Sequence, residues 1–116
     1  MSKKYKEITD DISAYISKLR NEIPDVMTGF SSMAKSASKD QALDKKTKEL
    51  IALALGVAAR CDGCIGFHVQ ALVKLGISRE EFVEVLGMAI YMGGGPSLMY
   101  AADALKAFEE FNAETG

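Results

Sequence analysis

Both cysteines of the chain and its only histidine fall within eight consecutive positions, in the stretch RCDGCIGFHVQ at residues 60–70. A thiol pair two residues apart can cycle between dithiol and disulfide. A histidine beside it can take a proton from a thiol, and the three side chains together can also serve as metal ligands. A third reading is a buried helix in which the cysteines are small apolar residues and the histidine is bonded to a carbonyl.

Helical geometry separates these readings. At 100° per residue, Cys64 lies about 60° from Cys61 and His68 about 20° from it on the same side, so one helix presents all three on one face. Cys64 and His68 stand at i and i+4 and are neighbours on a helix surface. A cysteine pair at a helix N-terminus gains thiolate character from the helix dipole, and Arg60 adds a nearby positive charge. Gly63 and Gly66 make the local backbone permissive. If the chain turns near Ala59 and Arg60, the preceding helix folds back on this one. Glu49 then lies about 15 Å from the turn and His68 about 10 to 12 Å from it, nearly level. A carboxylate facing an imidazole facing a thiol is the arrangement that turns a thiol into a nucleophile.

The elements that must position these residues are all helices. Ile8, Ile12, Tyr15, Ile16, Leu19 and Ile23 recur at helical spacing, and Pro24 closes that helix. The following DVMTGFSSMAKSASKD reads as a short helix and then a loop. Asp44 is an N-cap for KKTKELIALALGVAAR, whose residues 50–59 are apolar all round, as in a helix buried on every side. The motif helix ends at Gly76, a left-handed C′ glycine followed by Ile77. Ser78 and Glu81 form a capping box for REEFVEVLGMAIYM. Gly93–Gly95 break that helix as a turn, and Pro96 suits the first turn of the last one. Met88, Met92 and Met99 read as core or interface filling. The expected architecture is a single all-α domain over residues 1–116, with five or six helices and no strand. The all-apolar stretch at 50–59 points to subunit packing.

Glu49, eleven residues, Cys61-Asp62-Gly63-Cys64, three residues and His68 give E-x11-C-x-x-C-x3-H. This pattern resembles the signature of the carboxymuconolactone decarboxylase superfamily in its alkylhydroperoxidase D-like branch. The resemblance runs from about Leu43 to about Glu110 and includes the Leu-Gly-Ile turn and the glycine-rich break. The first 40 residues carry little of it. It implies an all-α fold assembled as a homotrimer or homohexamer, and a thiol-dependent peroxidase. On this likeness Cys64 is the peroxidatic cysteine, Cys61 resolves it, His68 activates Cys64 and Glu49 anchors the proton relay. The implied partners are a hydroperoxide and an external dithiol, lipoyl- or thioredoxin-like, with no cofactor and no metal. Gly63 departs from the pattern, since alkylhydroperoxidase D has a histidine there. The decarboxylases of the superfamily generally lack the paired cysteines, so lactone decarboxylation fits less well. One conflict lies within the motif: the dipole favours Cys61 as thiolate, whereas the histidine one turn on favours Cys64. Proton transfer needs contact and the dipole effect falls off within a turn, which favours Cys64.

Composition narrows the alternatives. The chain has 116 residues, 48% of them hydrophobic, and a net charge of −2 with its 14 basic residues dispersed. That argues against a nucleic-acid partner. No apolar run approaches the ~20 residues of a membrane span, and the N-terminus lacks a signal-peptide pattern, which makes the cytoplasm the expected location. Thiols there stay reduced, so a working pair is favoured over a structural disulfide. Zinc is a rival, with Cys61, Cys64, His68 and Asp62 or Glu49 as ligands, but a structural site usually has a second ligand pair far off in sequence and no other Cys or His exists here. A thioredoxin fold would place a strand before the motif, where an Ala/Leu-rich helix stands. A non-catalytic helical assembly module would tolerate loss of both cysteines.

Overall fold

The computed structural model describes residues 3–115. Six helices follow one another: α1 (Tyr5–Glu22), α2 (Pro24–Ser38), α3 (Lys45–Ala58), α4 (Asp62–Lys74), α5 (Arg79–Gly93) and α6 (Gly95–Thr115). The described residues contain no strand. No helix among them is long and apolar enough to cross a membrane. α4 sits at the centre, packed against α3, α6 and α1, while α5 closes the other side against α3 and α6.

The core follows from helical spacing. Ile65, Val69 and Leu72 of α4 are fully buried, as are Leu53 and Val57 of α3 and Phe82 of α5. Each such side chain contributes about 1.5 to 3 kcal/mol through its removal from water. Ala101, Ala104 and Ala107 make one face of α6 small, so the helices approach closely, and Phe108 stacks on Phe82 with ring centroids 4.5 Å apart.

The caps expected from the sequence are present. Asp44 accepts from the Thr47 N–H. Ser78 and Glu81 make both bonds of the capping box. At the end of α4, Ile77 N–H donates to the Leu72 carbonyl and Gly76 N–H to that of Val73, with Gly76 at φ 77°. This is a Schellman motif. The same motif ends α3, where Cys61 N–H donates to the Gly56 carbonyl and Arg60 N–H to that of Val57. Here the left-handed position is held by Arg60, at φ 58°. The Gly93–Gly95 break needs a single irregular residue, Gly94 at φ 73°.

Four expectations change. Residues 24–38 form a full helix rather than a short one with a loop; Pro24 follows α1 and opens α2 at its first position, where its missing N–H costs nothing. α3 is not buried on every side in the single chain: Leu53, Gly56 and Val57 face inward while Ile51 and Leu55 are exposed. On α1 Tyr5 and Thr9 are buried, Ile8 packs against the core and Ile12 and Ile16 are half-buried, whereas Tyr15, Leu19 and Ile23 of the expected stripe are exposed. Gly63 and Gly66 have ordinary helical backbone and serve close packing instead. A Cβ on Gly66 would come within 2.6 Å of Thr9 Cγ2, and one on Gly63 within 2.8 Å of Ile12 Cδ1.

A non-glycine residue in the left-handed region carries a cost of roughly 1 to 2 kcal/mol, which glycine avoids while losing about 0.5 to 1 kcal/mol of chain entropy. Arg60→Gly is therefore expected to raise the melting temperature by a few degrees. An unchanged or lower value in thermal unfolding would mean that the arginine side chain contributes more than the turn geometry costs.

Candidate active site

The turn at Arg60 reverses the chain and lays α4 against α3. Cys61 is the N-cap of α4, in extended conformation, and its Sγ accepts the Cys64 N–H at 3.1 Å. Sulfur thus takes the place of the usual oxygen cap. Cys61 and Cys64 are joined as a disulfide, with Cα atoms 5.2 Å apart. Both are half-buried.

α3 can reach this pair because Gly56 has no side chain. A Cβ there would lie 3.0 Å from Cys64 Cβ. Two turns back along α3, Glu49 is buried, and its Oε1 lies 2.7 Å from His68 Nδ1. The two residues meet directly, with no water needed between them. The carboxylate is nearly enclosed, at 11% side-chain exposure, whereas the imidazole is open at 35%. A carboxylate only accepts, so Nδ1 carries the hydrogen of this bond, and in the neutral ring Nε2 is then the acceptor. That nitrogen can take a proton from a thiol. His68 stands one turn beyond Cys64 on α4 and bonds to Glu49 rather than to either sulfur.

Glu49 and His68 line a pocket of about 290 Å³ with Lys48, Ala52 and the end of α2 at Ala34, Ala37 and Ser38. The small residues leave the ring accessible, and Lys48 is turned back onto the Lys39 carbonyl. Asp62, between the cysteines, accepts bonds from the Tyr5 hydroxyl and the Lys3 ammonium. Among the described residues no three His, Cys, Asp or Glu side chains are grouped as a metal site requires.

Of the residues singled out in the sequence, the structure bonds Glu49 to His68 and Cys61 to Cys64. The sequence reading missed Gly56, whose signal was a glycine inside an Ala/Leu-rich helix. It also missed the α2 wall of the pocket and the Lys3 and Tyr5 contacts to Asp62, which are long-range and leave no local pattern. The expected charge effect of Arg60 has no contact to support it; Arg60 is exposed and its contribution is the backbone turn.

Comparison with known proteins gives a consistent result. Residues 24–107 match the carboxymuconolactone decarboxylase family. An uncharacterised protein of Cupriavidus necator is 40% identical over 103 residues, covering 89% of this chain and 91% of that one. A carboxymuconolactone decarboxylase family protein of Legionella pneumophila has a crystal structure that superposes with a TM-score of 0.92 at 67% identity, covering 93% of this chain and 96% of that one. A Thermotoga maritima protein of the same family, described as a candidate for involvement in antioxidative response, superposes with a TM-score of 0.77 at 29% identity, covering 97% and 93%. With the six-helix fold and the paired cysteines beside a Glu–His pair, these matches establish that the chain belongs to the carboxymuconolactone decarboxylase family.

Proposed function

We propose that this protein is a thiol-dependent peroxidase that reduces hydroperoxides through Cys64 and Cys61. The observation that carries the reading is the buried Glu49 bonded to His68 one turn from a cysteine pair. In the proposed cycle, His68 Nε2 takes the proton of the Cys64 thiol while Glu49 holds the ring. The thiolate attacks the terminal oxygen of the hydroperoxide. An S–O bond forms, the O–O bond breaks, and the leaving alkoxide takes the proton from His68 and departs as an alcohol. Cys64 is now a sulfenic acid. Cys61 attacks its sulfur, the S–O bond breaks, and the hydroxyl leaves as water with the Cys61 proton. In this cycle the Cys61–Cys64 disulfide is the oxidised form of the pair. An external dithiol, lipoyl- or thioredoxin-like, returns two electrons and two protons by exchange. A reducing compartment such as the cytoplasm would supply it.

The function belongs, in this reading, to an oligomer. α2 has no buried residue, and its Val26, Phe30 and Met33 are all exposed. A 15-residue helix is marginal in water without a packed face. Leu55, Met88 and Met92 border a second apolar hollow between α3 and α5. A homotrimer or homohexamer would cover these faces, and fixing α2 would also firm the wall of the His68 pocket.

Four measurements test this. One equivalent of hydroperoxide added to the reduced protein is expected to remove two thiols; a constant thiol count would reject the peroxidase. Cys64→Ser should abolish turnover, while Cys61→Ser should stall as a sulfenic acid trapped by a dimedone-type reagent. Trapping confined to Cys61 in the Cys64 variant, with the Cys61 variant inactive, would reverse the roles.

His68→Gln is expected to slow the reaction with hydroperoxide about a hundredfold, the usual size of a general-base contribution. Its rate of alkylation at Cys64 should reach half-maximum at higher pH than in the parent. The sign follows from losing the proton acceptor, and an unmoved profile would make His68 structural. Light scattering on the reduced protein is expected to give three or six chains; a monodisperse monomer at micromolar concentration would remove the assembly argument.

A further inference from the structure

Asp62 lies inside the cysteine motif as the first residue of α4, directly after the capping Cys61. A carboxylate here is favoured by the helix N-terminus but opposes a second negative charge on either neighbouring sulfur. The structure surrounds it with partners from distant parts of the chain. Lys3 Nζ donates to Asp62 Oδ1 at 2.9 Å and to Asp103 Oδ2 of α6 at 2.8 Å. The Tyr5 hydroxyl donates to the same Asp62 Oδ1 at 3.0 Å. Tyr5 is fully buried.

The segment carrying Lys3 and Tyr5 is itself pinned. The Tyr5 and Lys6 N–H groups donate to the two carboxylate oxygens of Glu110, which caps α1 in place of its own N-cap side chain. Lys106 Nζ donates to the Lys3 carbonyl, and the Lys3 ammonium lies 4.7 Å from the centre of the Tyr100 ring. The groups facing Asp62 are thus Lys3 and Tyr5 at the start of the chain, with Asp103, Tyr100, Lys106 and Glu110 of α6 behind them. Bonding to Asp103 and to Asp62 holds the Lys3 ammonium above the ordinary lysine range, and burial followed by the Asp62 bond holds the Tyr5 phenol up. Both remain proton donors toward the carboxylate.

We propose that Lys3 and Tyr5 are positioning residues for the cysteine pair, neutralising and orienting the Asp62 carboxylate and so setting the balance between dithiol and disulfide. The proposal rests on the redox reading of Cys61 and Cys64 but not on the identity of the oxidant. Reduction by a thiol donor breaks the S–S bond with two electrons, oxidises the donor to its disulfide, and adds one proton when one sulfur remains a thiolate. An uncompensated Asp62 disfavours that thiolate and so favours the disulfide. Lys3 offsets it and makes the pair easier to reduce.

The test equilibrates the full-length protein and its variants in glutathione buffers and measures the disulfide fraction, then follows thiol alkylation against pH. Lys3→Met is expected to shift the equilibrium about three- to tenfold toward the disulfide and to move the alkylation profile to higher pH, a size appropriate to a single half-exposed charge. Lys3→Arg should restore both readouts. Asp62→Asn should move both the opposite way. Opposite signs distinguish electrostatic control from loosening of the N-terminal segment, which would move both variants alike. Movement in one direction for both, or no movement, would overturn the proposal while leaving the redox pair intact. A parent protein whose cysteines do not respond to glutathione would overturn the redox reading and this proposal together.

Discussion

Gly56 touches Cys64 because α3 returns on α4 through a turn that places a non-glycine residue, Arg60, in the left-handed region. The rest of the site depends on this contact. It fixes the separation of the two helices at the cysteine pair, and the helices then run back together so that Glu49 and His68 arrive level and bond at 2.7 Å. A Cβ at position 56 would lie 3.0 Å from Cys64 Cβ, so even alanine there calls for a shift of the helix pair or of the Cys64 side chain. The two hydrogen bonds that close the turn, from Cys61 and Arg60 to the Gly56 and Val57 carbonyls, also hold the backbone of the first cysteine. Helix ending, helix packing and cysteine placement are therefore one structural event.

The departure of this chain from the alkylhydroperoxidase D pattern at Gly63 has a packing explanation. A Cβ there would meet Ile12, and three residues on, one at Gly66 would meet Thr9. The two glycines form a smooth strip on α4, and the ridge of Thr9 and Ile12 on α1 lies in it. Any side chain at position 63 would have to displace the end of the Ile12 side chain. The same docking carries Tyr5 to Asp62. α1 thus gives the motif an apolar contact at Gly63 and a hydroxyl donor at Asp62.

Much of this was legible in the sequence, for physical reasons that also mark where legibility ends. The caps at Asp44 and Ser78 and the stop at Gly76 were readable because each is a local hydrogen-bonding pattern of a few residues. Glu49 and His68 were readable because helical rise and a single turn convert sequence distance into height along a helix pair. The full length of α2 was not, since its apolar residues are few and no buried face in the single chain disciplines their spacing. The exposed side of α3 was not either: an all-apolar helix looks the same in sequence whether a neighbouring helix or a neighbouring molecule covers it. The Lys3–Asp62–Asp103 cluster joins residues 59 and 100 positions apart and left no trace in any local pattern.

The competition between helix dipole and histidine for the reactive thiolate also changes its meaning. Cys61 is the sulfur cap of α4 and accepts the Cys64 N–H, so negative charge on it is held by the helix N-terminus. Cys64 stands one turn before His68, whose Nδ1 is occupied by Glu49 and whose Nε2 is the acceptor of the neutral ring. In the proposed cycle both sulfurs must act as nucleophiles, at different times. Cys64 attacks oxygen first, and its proton needs an acceptor in contact that can later return it to the leaving alkoxide. Cys61 attacks sulfur second, and its proton can leave with the departing hydroxyl, so a standing electrostatic bias suffices. In the proposed cycle the imidazole one turn along α4 from Cys64 would serve the first demand and the fixed dipole at Cys61 the second, so the two effects need not compete.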